Sequence, residues 1–122
     1  MVRVARPWGY VGIHDICWKE DTPETLKQRL AEIEGERPET INGWKALFES
    51  AGLVDVRTVE KSHLLPAWTK EIKRRVGFMG LVKIAIGAVR RWGIAGLRDI
   101  LESDRIFRSS HTGYCIVVGR KP

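Results

Sequence analysis

The sequence has little cysteine, no long apolar run and no glycine-rich turn following a strand. Only Cys17 and Cys115 occur in 122 residues, far apart and outside any paired motif. Such spacing is no disulfide framework; it fits free thiols in a reducing, cytoplasmic setting. No apolar stretch approaches the roughly 20 residues that cross a bilayer. Pro7, Gly9 and Asp15 interrupt the basic-then-apolar opening of a secretory signal. Low-complexity tracts and internal repeats are absent. Helix-turn-helix, zinc-finger and RNP patterns are absent too, so nucleic acid is not an expected partner.

What is present reads as one soluble α/β domain over residues 1–122. Charge is unevenly spread: residues 1–60 hold 8 Lys/Arg and 11 Asp/Glu (−3), whereas residues 61–122 hold 13 and 4 (+9). A basic field of that kind attracts anionic membrane or an acidic partner.

Pro7-Trp8-Gly9 reads as a turn, and Gly9–Ile16 as a strand rich in Tyr, Val and Ile. In "DTPETLKQRLAEIEG", Asp21 or Thr22 can cap a helix whose apolar stripe is Leu26, Leu30 and Ile33, ending at Gly35. A second helix follows the Thr40 cap, with Ile41, Trp44, Leu47, Phe48 and Ala51 on one face and Gly52 as its stop. "LVDVRTVEKS" alternates as a strand, with Val54, Val56 and Thr58 on one side and Asp55, Arg57 and Val59 on the other. Residues 66–102 read as helix opened by Pro66 and broken by Gly77, Gly80, Gly87, Gly93 and Gly96 into two or three pieces. Leu81, Ile84 and Val89 are expected to pack on the sheet, and Ile94, Leu97 and Leu101 to face inward. Tyr114–Val118 is apolar throughout, which predicts a strand buried on both faces and ended by Gly119 and Pro122.

Three stretches together resemble the C-terminal half of class I S-adenosylmethionine-dependent methyltransferases. "VRVARPWGYVGI" is similar to that family's R-x-L-[KR]-P-G-G turn before its fifth strand: Arg3, Arg6, Pro7 and Gly9 match, and Trp8 stands in place of the first glycine. "GWKALFESAGLVDV" is similar to the helix, alanine-glycine stop and sixth strand, and "GYCIVVGRKP" to the seventh strand and basic-proline ending. The resemblance implies a partial Rossmann-like fold: a small mixed three-stranded sheet, spatial order first–third–second, packed with helices, and a helical insert over about 66–108. It also implies S-adenosylmethionine as the cofactor of the full fold. The glycine-rich loop and strand-end carboxylate that bind it have no counterpart here, since "GFMG" and "GIAG" follow no strand. No cofactor site is therefore expected in this chain alone.

The resemblance implies an acceptor-side portion of a methyltransferase, inactive unless joined to a cofactor-binding half. A truncated, non-catalytic oligomer and a basic amphipathic module remain alternatives. Lacking a neighbour for its first strand, the chain is expected to pair as a homo-oligomer along the edge Tyr10–Ile16.

Among side chains with chemistry, His14 and Asp15 come at the end of the first strand, where α/β folds gather their ligands. By resemblance they face the methyl acceptor, where either could take a proton from the attacking nucleophile. The alternative is a turn-capping Asp15 and a structural His14. His14, Asp15, Cys17, His63, His111 and Cys115 lack the repeated close spacing of a metal site. "KEIKRRVGFMGLVKIAIGAVRRWG" carries Phe78, Met79 and Trp92 among basic residues and could lie on a membrane surface; in the resembling family this insert forms a cap suited to a bulky or lipid-like acceptor.

Overall fold

The computed structural model describes the backbone of residues 1–122 and all side chains except those of Pro66, Trp68 and Thr69. The element order is β1 (Tyr10–Trp18), α1 (Glu24–Glu34), α2 (Ile41–Ser50), β2 (Val54–Glu60), α3 (Leu65–Phe107) and β3 (Thr112–Arg120). These residues divide into two compact units. One comprises Met1–Thr22, Pro38–Ser62 and Ser110–Pro122, and the other Pro23–Arg37 and His63–Ser109.

The first unit is built on a three-stranded sheet of order β1-β3-β2, as expected. β3 runs antiparallel to both neighbours, Val117 facing Ile13 on one side and Thr58 on the other. β1 and β2 run the same way, with β3 between them. Every ladder among the described residues is therefore antiparallel.

Strand alternation sorts the side chains onto two faces. Val11, Ile13, Cys17, Cys115 and Val117 point to one, where Phe48 of α2 and Leu53 complete the core. Cys115 and Val117 have no exposed area. Tyr114, Ile116 and Val118 point to the other face and are only half-buried. β3 is thus buried on one face, not on both as its unbroken apolar run suggests. It also runs through Gly119 instead of ending there. A Cβ at Gly119 would stand 3.0 Å from Leu53 Cβ and 3.1 Å from Phe48 Cδ1, so this glycine admits α2 onto the strand.

The α2 boundaries follow the sequence closely. Thr40 accepts the Gly43 N–H at 3.0 Å, and Gly52 takes a left-handed φ of 81° after the last turn. Ile41 and Trp44 pack on the core, whereas Leu47 is exposed. β2 departs from simple alternation. Its register shifts between Val54 and Arg57, around Asp55 at φ 53°. This bulge leaves Val56 and Thr58 turned inward and Val54 exposed.

In the second unit, α1 presents Leu30, fully buried, with half-buried Leu26 and Ile33 beside it. Neither Asp21 nor Thr22 caps it. Pro23 occupies the cap position, and the Thr22 hydroxyl donates to His111 O at 3.1 Å. Arg29 ties α1 to α3, donating to both carboxylate oxygens of Glu102 (3.0 and 2.8 Å) and to Asp99 (3.0 Å). The paired guanidinium holds Glu102 below the usual carboxylate range.

α3 is broken twice. Gly77 (φ 67°) and Gly93 (φ 73°) leave helical geometry, dividing it into segments 65–76, 78–92 and 94–107. Two of the five glycines act as breaks because only glycine enters this region without a Cβ clash; Gly80, Gly87 and Gly96 stay helical. The side chain of Pro66, expected to open the helix, lies outside the described residues. Two packing expectations fail. Leu81, Ile84 and Val89 are exposed, and so are Ile94 and Leu101. Among the described residues of α3, Leu65, Ala88, Gly96, Ser103 and Ile106 are buried, and Leu97 is half-buried. Among the described residues no helix is long and apolar enough to cross a membrane.

Candidate functional site

β1 extends to Trp18, two residues past its expected end, so His14 and Asp15 lie within the strand rather than at its carboxyl end. Adjacent strand residues point to opposite faces, which separates the two. His14 stands on the half-open face. Its Nδ1 is 2.6 Å from the Tyr114 hydroxyl, the rings tilted by 58° with centroids 6.0 Å apart. Register explains the pairing: His14 faces Ile116 and Ile16 faces Tyr114, so the two rings meet diagonally on one face. Either group can donate, which gives the pair the means to pass a proton between the exposed imidazole and the phenol.

Asp15 does something else. Its carboxylate accepts the N–H of Ile16 at 2.8 Å. One residue pair on, the Trp18 N–H donates to Glu39 O at 3.0 Å within a parallel bridge to Thr40. These contacts occupy the carboxyl-terminal part of β1's outer edge. No strand pairs that edge over Tyr10–His14 among the described residues.

Cys17 and Cys115 come together on the core face despite their distance in sequence. Burial first, and the neighbouring Cys115 second, push the Cys17 thiol up to about 12; burial likewise raises Cys115. Both are free and protonated at neutral pH, and a thiol is a poor nucleophile compared with its thiolate. His63 belongs to the other compact unit. Among the described residues no group of three or more His, Cys, Asp or Glu side chains is placed to hold a metal ion.

A second polar cluster, unanticipated from the sequence, joins the strand ends. Lys19 forms an ion pair with Glu60 and donates to Ser62 Oγ at 3.2 Å. Ser62 Oγ donates to Glu60 at 2.7 Å and accepts the Tyr114 N–H at 3.2 Å. A Cβ at Gly113 would come within 2.7 Å of that Ser62 oxygen, so the cluster depends on a glycine there. The cluster fastens β1, β2 and β3 at one end. In sequence, Lys19, Glu60 and Ser62 sit in three separate polar stretches, and only the strand pairing joins them.

The residues present do not fit a methyl donor. A donor cradle needs a strand running into a glycine-rich turn and then a helix. Here Gly35 and Gly52 follow helices, and Gly77 and Gly93 interrupt one.

No protein-family model and no curated protein matches the sequence. Solved structures do match. A protein assigned as a sarcosine dimethylglycine methyltransferase from Galdieria sulphuraria aligns over 98% of this chain with a TM-score of 0.69 at 15% identity. Phosphoethanolamine N-methyltransferase 2 from Haemonchus contortus, solved with S-adenosyl-L-methionine, aligns over 99% with a TM-score of 0.68 at 12% identity. MccD protein aligns over 99% with a TM-score of 0.53 at 16% identity. The fold is therefore similar to part of the fold of these two methyltransferases and of MccD protein. This chain spans 44%, 28% and 51% of the lengths of those three proteins.

Proposed function

We propose that this chain forms the acceptor-side wall of an S-adenosylmethionine-dependent methyltransferase and is inactive until a donor-binding polypeptide completes it. The observation that supports this most is the unpaired edge of β1 over Tyr10–His14, in a fold that larger methyltransferases share. An incoming strand there would extend the sheet by backbone hydrogen bonds. It would also place its own residues beside His14. In this reading His14 accepts the proton of the methyl acceptor and Tyr114 orients the imidazole. Asp15, engaged with the Ile16 amide, shapes the edge. S-adenosylmethionine would be held by the completing polypeptide, since this chain offers no glycine-rich cradle.

Titration calorimetry of the isolated chain with S-adenosylmethionine is expected to show no binding tighter than about 100 μM, equivalent to about 5.5 kcal/mol. Co-expression with a polypeptide encoded upstream of Met1, if it carries a strand and glycine-rich loop, is expected to create donor binding. Tight binding by the isolated chain would overturn the proposal. So would a pair that assembles and still binds no donor.

A further inference from the structure

We infer that the α3 segment 78–92 docks on an anionic phospholipid bilayer. Met79, Lys83, Ile86 and Arg90 succeed one another at steps of four, three and four residues, and therefore share one helix face. All four are exposed. The face thus alternates apolar and cationic groups along a single line. Among the described residues, none of Lys83, Arg90 and Arg91 is in an ion pair; Arg91 instead lies 5.3 Å over the Trp92 ring.

Both ends of the segment carry large apolar side chains turned to solvent. Phe78, next to the Gly77 break, is 79% exposed; Trp92 and Ile94, flanking the Gly93 break, are 60% and 72% exposed. Beside them Ala85, Ile86, Val89, Arg90 and Leu97 line an open groove of ≈ 380 Å³. Its apolar lining suits a stretch of acyl chain, and Arg90 can meet the phosphate above it.

This chemistry favours lipid over a protein surface. The core of a protein interface is depleted in charge, and each buried cation there would need a facing acid. At a bilayer surface the same mixture is favourable: aromatic and aliphatic groups sink to the acyl boundary while lysine and arginine stems reach up to phosphates. Surrounding charge agrees in sign, since residues 70–98 contain eight Lys/Arg and one acidic residue, Glu71.

Co-sedimentation of the full chain with vesicles tests this. Binding is expected to phosphatidylcholine vesicles containing phosphatidylserine, not to pure phosphatidylcholine, and to fall as salt is raised. Lys83→Gln and Arg90→Gln should each weaken binding about fivefold. Phe78→Ser should weaken it at unchanged charge. Because these side chains are exposed, circular dichroism should show each variant folded. Absence of binding, or equal binding to both vesicle types, would overturn the inference. Unchanged binding of Phe78→Ser would reduce the contact to simple charge attraction and overturn it as well. So would substitutions that alter self-association and leave vesicle binding intact, which would identify a second copy as the occupant.

Discussion

The Arg120 guanidinium lies over the Trp8 ring, its Cζ 4.8 Å from the ring centroid. The same arginine donates through Nε to Asp55 at 2.8 Å. Among the described residues, Trp8 (φ 63°) and Asp55 (φ 53°) are the two non-glycine residues with left-handed backbones. One side chain at the end of β3 thus braces the turn before β1 and the bulge in β2.

Bracing predicts a separation between two substitutions at position 8. Trp8→Ala removes the ring and keeps a Cβ in the left-handed region; Trp8→Gly removes both. The glycine variant should be the more stable by about 1–2 kcal/mol, the usual penalty of that region for an L-residue. Urea unfolding of the two proteins measures the difference. Equal midpoints would mean that the turn does not hold this backbone angle in solution.

The paired thiols predict alkaline sensitivity. In the unfolded chain a cysteine ionises near 9.0, whereas folded Cys17 does so at about 12. The folded state therefore binds an extra proton between these values. Stability from this source is complete below pH 9 and is lost as pH rises towards 12. Replacing Cys17 by Ala should flatten that decline in a pH series of urea melts. In the native wild type, both thiols should resist a disulfide reagent at pH 8 and react fully in denaturant.

For the open edge, light scattering after size exclusion at micromolar concentration should find a species larger than the 13.9 kDa chain. Gly12→Lys places a charge on this edge strand, and its Cβ would meet only ordinary contacts, the nearest being Val118 Cγ2 at 3.4 Å. The variant should run as a monomer. A wild type that is itself monomeric under these conditions counts against pairing through β1.

Within a completed enzyme, His14→Gln should lower kcat by about 100- to 10,000-fold, the range for loss of a general base. Tyr114→Phe should lower it less, because the imidazole keeps its place in the strand and loses only its hydrogen-bond partner. If both variants retain full activity, the His14–Tyr114 pair is structural.

Much of this architecture was legible because its signals are local. Thr40, Gly35 and Gly52 mark helix ends through the backbone chemistry of single residues, and the sheet order followed from resemblance. The bulge was not legible: Val54, Val56 and Thr58 read as unbroken alternation, and the only hint was an aspartate, a residue that tolerates left-handed geometry. Trp8 in a glycine position was visible as a mismatch, but its partner Arg120 lies at the other end of the chain. Tyr114 escaped for the same reason, since cross-strand neighbours depend on register. The exposed face of segment 78–92 resembled a core stripe because apolar periodicity records which residues share a side, not whether that side is covered.

The two borders of the sheet are finished differently. Along β2 the Asp55 bulge distorts the strand, while β1 keeps five undistorted residues from Tyr10 to His14. If two copies joined through β1 by a twofold axis, each would consume its sole regular border and leave only the bent one outside. Growth would then halt at a pair, sparing the protein the endless stacking that leads to fibres.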